Sequence, residues 1–192
     1  MIGGSAGLHR YDGYTFLPYA HDPSDRSSIS SSNISALVAD RGKNLWIGTS
    51  DSGLSRFDHG TSRFTRVRST GMKDRTLSDD RIRCLFSDSK GSLWIGTYNG
   101  LNLLDPATMK VRQFLPSFTD SISLRSESVS AISEDAGGRI WIGTRAGLAV
   151  YDRATERFPS PNIAGLSAAA QAGEYITSLH VDRRGRVWYG TA

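Results

Sequence analysis

Asp40-Arg41-Gly42-Lys43-Asn44-Leu45-Trp46-Ile47-Gly48-Thr49 decides the fold, because its frame returns three more times along the chain. The tetrapeptide Trp46-Ile47-Gly48-Thr49 recurs as Trp94-Ile95-Gly96-Thr97, Trp141-Ile142-Gly143-Thr144 and Trp188-Tyr189-Gly190-Thr191, at spacings of 48, 47 and 47 residues. Six positions before each tryptophan stands an aspartate (Asp40, Asp88, Asp135, Asp182). Twelve before it stands a β-branched residue (Ile34, Ile82, Val129, Ile176). A Gly-Leu pair follows the first three tryptophans (Gly53-Leu54, Gly100-Leu101, Gly147-Leu148), and then Phe57-Asp58, Leu104-Asp105 and Tyr151-Asp152. Ile2-Gly3-Gly4, Gly7-Leu8 and Tyr11-Asp12 repeat the frame at the start of the chain, with Met1 in the tryptophan's place.

Each unit contains four short segments of alternating or β-branched character bounded by turn residues, and none has an apolar pattern of helical period. In the second unit these predict strands from Ile34 to Ala39, Leu45 to Thr49, Leu54 to Asp58 and Phe64 to Val67. The aspartate opening each turn between the first two strands can accept bonds from backbone N–H groups two residues on. A late glycine supplies positive φ at little steric cost. The repeated aspartates are therefore structural rather than catalytic.

A four-stranded unit of this length fits a propeller blade, whose two faces are buried against neighbours. The expected fold is all-β, a β-propeller made of four-stranded antiparallel blades in a partial ring of about four blades. It forms a single partial domain over residues 1–192, with repeat units at about 1–33, 34–81, 82–128 and 129–175 and a partial unit at 176–192. Each tryptophan reads as the knob packed between adjacent blades, with the following isoleucine on the other face. The competing role for the indoles is a sugar-binding platform.

The composition, 38% hydrophobic and 22% charged over 192 residues, is that of a folded chain, and 20 glycines suit many tight turns. The single cysteine, Cys84, excludes an internal disulfide and a cysteine-ligated zinc. It falls where other units place Ala36, Ala131 and Ser178, and reads as a small buried side chain. Net charge is +4 with basic residues spread along the chain, so no nucleic-acid partner is expected. No apolar run reaches the ~18 residues of a membrane helix and no secretory signal precedes Gly3, which assigns any export or membrane attachment to segments outside this chain. His9, His21, His59 and His180 fall at unrelated repeat positions without metal-ligand spacing. There is no Gly-x-Ser-x-Gly elbow and no phosphate-binding glycine loop. No catalytic residue, metal or cofactor is expected.

Recognition on such a scaffold belongs to the loops on one face, which vary between repeats. Eleven positions before each tryptophan stand Ser35, Arg83, Ser130 and Thr177, so Arg83 is the one long cation near the channel mouth. It reads either as a ligand for carboxylate or sulfate, or as the partner of a neighbouring acid, Asp79 or Asp80. The turns after the second strands offer Asp51, Tyr98, Asn99 and Arg145, which supply hydrogen bonds, stacking and charge suited to a glycan.

The whole frame, Ile-x-Ala-Leu, then Asp and Gly, then Leu-Trp-Ile-Gly-Thr, then Gly-Leu and aromatic-Asp, resembles the two-component regulator propeller repeat. Ile34 to Asp58 and Val129 to Asp152 match it best. The departures are Met1, Cys84 and Leu104. The resemblance implies the periplasmic sensor region of an inner-membrane receptor of a bacterial two-component or cyclic-di-GMP pathway. Such a region binds a small molecule or an oligosaccharide without turnover, ahead of a kinase or diguanylate cyclase output domain. Alternatives are a propeller lyase or hydrolase acting on polysaccharide, and a protein-interaction scaffold. Full rings in the family have about seven blades, so the chain reads as a fragment whose terminal blades expose apolar faces and favour self-association.

Overall fold

The computed structural model describes residues 1–5, 7–70, 76–117, 119–120, 122–159 and 173–192. These form five antiparallel sheets in chain order. The first holds β1 (Ile2–Gly4), β2 (Gly7–Tyr11) and β3 (Phe16–Tyr19). The second holds β4 (Ile34–Ala39), β5 (Leu45–Thr49), β6 (Leu54–Asp58) and β7 (Arg63–Val67), and the third β8 (Ile82–Ser87), β9 (Leu93–Thr97), β10 (Gly100–Leu104) and β11 (Val111–Phe114). The fourth holds β12 (Val129–Glu134), β13 (Ile140–Thr144) and β14 (Gly147–Tyr151), and the fifth β15 (Ile176–Val181) and β16 (Val187–Thr191). Strands within each sheet pair in sequence order, as meanders.

The sheets stack side by side like propeller blades. The first strands of the last four, β4, β8, β12 and β15, each neighbour the next, and β1 lies against β4. Trp46 sits in the cluster between the second and third sheets, with Leu77, Ile82, Ile95 and Leu104, while Ile47 points into the cluster with Leu8, Ile34, Phe57 and Phe64 between the first and second. Trp94 and Ile95 divide in the same way, the indole joining Phe114, Ile142, Tyr151 and Phe158. The tryptophan-containing strands are thus apolar on both faces, as strands covered on both sides must be. Removing each such large side chain from water contributes on the order of 2 to 3 kcal/mol.

The aspartate six residues before each indole has a second task besides its turn. Asp88 Oδ1 accepts the Ser92 N–H at 2.8 Å, and Oδ2 accepts Trp94 Nε1 at 2.8 Å. Asp40, Asp135 and Asp182 bond Trp46, Trp141 and Trp188 at 2.8, 3.0 and 3.1 Å. A buried indole N–H needs such a partner. Burial alone would push the Asp88 carboxyl up, but the Arg153 guanidinium, 2.8 Å away, together with the Trp94 indole and the Ser92 amide holds it below the usual carboxylate range.

One expectation needs correction. The late glycine of the aspartate turn takes positive φ at Gly91, Gly138 and Gly185, but in the second unit Lys43 occupies that place at φ 62°, because Gly42 lies one position early. In the fourth unit the described residues give three strands and a single antiparallel bridge, Asp152 to Arg157, and the fourth strand expected from the repeat lies largely on residues 160–172, outside the described residues.

Candidate functional site

Each of β4, β8, β12 and β15 carries a bulge at its second residue. The pairing of β4 with β5 steps from Ile34 opposite Thr49 to Ala36 opposite Gly48, leaving Ser35 unpaired. The same step skips Arg83, Ser130 and Thr177. A bulge bends its strand and re-aims the extra side chain. All four residues line a single hollow of about 520 Å³, completed by Ser50, Arg81, Ile82 and Tyr98.

The threonine closing each of the first three Trp-Ile-Gly-Thr elements holds the turns that flank this hollow. Thr49 and Thr97 donate through Oγ1 to the carbonyls of Gly53 and Gly100 at 2.8 and 2.9 Å, and Thr144 does so to Gly147 at 2.8 Å. Those glycines have φ of 75°, 104° and 96°, which explains the recurring Gly of the Gly-Leu pair. The turns project Ser50, Tyr98 and Arg145 from a fixed base.

Arg83 is half-buried at the centre of the site. Its guanidinium donates to Ser128 Oγ at 2.7 Å and to the Tyr175 hydroxyl, and lies 5.0 Å from the Tyr98 ring centroid and 5.5 Å from that of Tyr175. The acid-paired reading of Arg83 is not what the structure shows. Asp79 pairs with Arg81 at 2.6 Å, and Asp80 Oδ1 accepts the Ser69 N–H at 2.6 Å. The Arg81 bond holds the Asp79 carboxyl below its usual range. Arg81 also stacks on Tyr98, at 5.1 Å.

A second hollow of about 300 Å³ lies on the other side of Tyr98, lined by Arg125, Ser126, Glu127, Ser128, Arg145 and Ala146. Of the five residues singled out from the sequence, Arg83, Tyr98 and Arg145 are thus brought to two adjoining hollows. Asp51 and Asn99 are exposed in the corresponding turns and line neither. Sequence reasoning missed Tyr175, Arg81 and Ser128. A larger hollow of about 720 Å³, between Lys43, Asn44, Arg56, Asp58 and His59, lies at the opposite end of the second sheet, among turns the repeat builds for structure.

Cys84 follows Arg83, with Sγ 3.9 Å from the Val129 carbonyl, and burial pushes its thiol up to about 12. The histidines are scattered: His21 bonds the Ile29 carbonyl at 2.7 Å, His59 packs edge-on against Phe57, and His9 and His180 lie on β2 and β15. Among the described residues no cluster of three His, Cys, Asp or Glu is poised to hold a metal.

Comparison with known proteins agrees with this geometry. The two component regulator propeller family is matched at residues 28–51, 76–99 and 123–146. Histidine kinase P4 of Formosa agariphila is 34% identical over 75 residues, which cover 36% of this chain and 6% of the kinase. The extracellular domain named for the hybrid two component system BT4673 of B. thetaiotaomicron superposes with a TM-score of 0.74 at 21% identity, over 98% of this chain and 24% of that one. Virginiamycin B lyase from Staphylococcus aureus has a TM-score of 0.58 at 14% identity, over 82% of this chain and 48% of the lyase. At these identities the solved structures speak to the fold, and the chain spans only a small part of the sensor proteins. The three matched segments coincide with the Asp-turn and Trp-Ile-Gly-Thr strands of the second, third and fourth sheets, so the chain carries three two component regulator propeller repeats.

Proposed function

We propose that the chain is a periplasmic, ligand-sensing part of a bacterial two-component or cyclic-di-GMP receptor, binding a small molecule or oligosaccharide without turnover. The five sheets would form part of a propeller ring. The observation that carries the reading is the convergence of four bulged side chains, Ser35, Arg83, Ser130 and Thr177, on one hollow beside an exposed tyrosine. Bulges that repeat in every inner strand aim variable residues at a common point, which is what recognition on a repeated scaffold requires. The family match and the fold shared with the extracellular domain of a two component system support the same reading. Ligand passes a signal only if it binds two receptor states unequally. The test is calorimetric titration against a panel of oligosaccharides and small metabolites, with product analysis. Binding without products supports the proposal, whereas turnover of a polysaccharide would favour the lyase or hydrolase alternative.

The terminal sheets carry a second part of this reading. Ile2, Tyr11 and Phe16 on the first sheet and Trp188 on the fifth are exposed, although their counterparts in the inner sheets are covered. The first sheet has the counterparts of strands two to four of a blade, and the fifth those of strands one and two. Two copies joined through these faces would bury both, in a two-fold ring of roughly eight blades.

A further inference from the structure

We infer that the hollow around Arg83 binds an oxyanion of the ligand, a carboxylate or a sulfate. The inference rests on the sensing function proposed above and names the chemistry of its ligand.

The first ground is charge. The described partners of Arg83 are the hydroxyls of Ser128 and Tyr175 and the faces of two tyrosine rings, all neutral. Asp79 and Asp80, the acids nearest in sequence, are engaged by Arg81 and by the Ser69 amide. Among the described residues none of the ion pairs involves Arg83. A half-buried guanidinium without a counter-ion raises the potential of the hollow it faces.

The second ground is architecture. The fold does not call for arginine at this bulge, since the equivalent positions are filled by Ser35, Ser130 and Thr177. The third is pre-organisation. A guanidinium offers five N–H donors, and the hydroxyls of Ser128 and Tyr175 take only two bonds from Arg83. Stacking on Tyr98 and Tyr175 fixes the plane of the remaining fork, so little side-chain freedom is lost when a carboxylate or sulfate is bound. Around it the hollow offers the hydroxyls of Ser35 and Ser50 for the ligand's neutral groups.

The test uses the full chain, titrated calorimetrically at low chloride with sodium sulfate, galacturonate and neutral galactose. Sulfate or galacturonate should bind at least tenfold more tightly than galactose, and whichever binds tells which oxyanion is preferred. Arg83→Gln should weaken that binding at least tenfold, Arg83→Lys less, and Arg41→Ala, in a turn at the other end of the second sheet, not at all. Should Arg83→Gln fail to fold, the wild-type chain still decides: the anion must shift the Arg83 Nε–Hε resonance. Galactose binding as tightly as both sulfate and galacturonate, an unmoved Arg83 resonance, or unchanged affinity in a folded Arg83→Gln chain would each overturn the anion site. Neutral oligosaccharide binding alongside any of these results would leave the sensing function standing, while a chain that binds neither anions nor neutral glycans would overturn both.

Discussion

Gly48 is the seat of Ile82: a Cβ built on Gly48 of β5 would lie 2.6 Å from Ile82 Cγ2, on the first strand of the next sheet. The pairing recurs as Gly3 with Ile34, Gly96 with Val129 and Gly143 with Ile176. The glycine of Trp-Ile-Gly-Thr and the β-branched residue of the following unit are therefore two halves of one contact. Gly48→Ala should destabilise the chain by about 1–3 kcal/mol through overpacking, whereas Gly4→Ala, with open space around its Cβ, should be near neutral. In urea unfolding, Ile82→Ala should offset much of the Gly48→Ala loss in the double mutant; strict additivity would contradict the contact.

Acid should unfold the chain through the indole-bound aspartates. Asp40, Asp88, Asp135 and Asp182 are all held below the usual carboxylate value of 3.8. A depressed folded-state pKa contributes stability that is present above the unfolded value and lost as pH falls through the folded one. Stability should therefore be level from about pH 7 to 5 and decline below about pH 4. Asp88→Asn, which leaves Arg153 only its longer pair with Glu134 and gives Trp94 a poorer acceptor, should lose about 2 kcal/mol at neutral pH and flatten the acid limb. Thermal unfolding between pH 2 and 7 checks both.

Lys43→Gly should stabilise the chain by about 0.5–1 kcal/mol, because a left-handed backbone disfavours any side chain and the other three units place glycine there. A raised unfolding temperature is the expected outcome; a lowered one would show that the lysine side chain contributes more than its backbone strain removes.

Cys84 should resist alkylation by iodoacetamide at pH 8 in the folded chain and react on denaturation, since burial keeps it a thiol. Cys84→Ala should shift stability by less than about 1.5 kcal/mol, as Ala36 and Ala131 fill the same place in their sheets.

Self-association should depend on the terminal sheets. Sedimentation equilibrium is expected to show a dimer that Trp188→Arg or Phe16→Arg weakens at least tenfold, with the unfolding transition little changed because both side chains are exposed.

The sheets were legible in the sequence because their determinants are local in type and regular in spacing. Trp46, Gly53 and Asp58 each mark a position that only a few residues can fill. The offset of Asp40 from Trp46 was equally visible, but the bond between them was not, since it depends on a turn folding the carboxylate back over the neighbouring strand. The bulges at Ser35, Arg83, Ser130 and Thr177 left no signature, because a bulge is a property of pairing register and needs no special residue. Arg83 could be picked out as the odd cation, yet its partners Ser128 and Tyr175 share with Asn33 and Arg81 the place thirteen residues before each tryptophan, where the side chain differs in every unit, and Tyr175 lies 92 residues away in sequence.

Trp188, 56% exposed, has the same sequence frame as three indoles that are all but inaccessible. Its fluorescence should sit to the red of theirs and be open to iodide quenching, so that nature has labelled a single sheet face. Any molecule that comes to rest on the fifth sheet, whether another copy or further chain, will blue-shift that one emitter and shield it from the quencher, reporting occupancy without a dye.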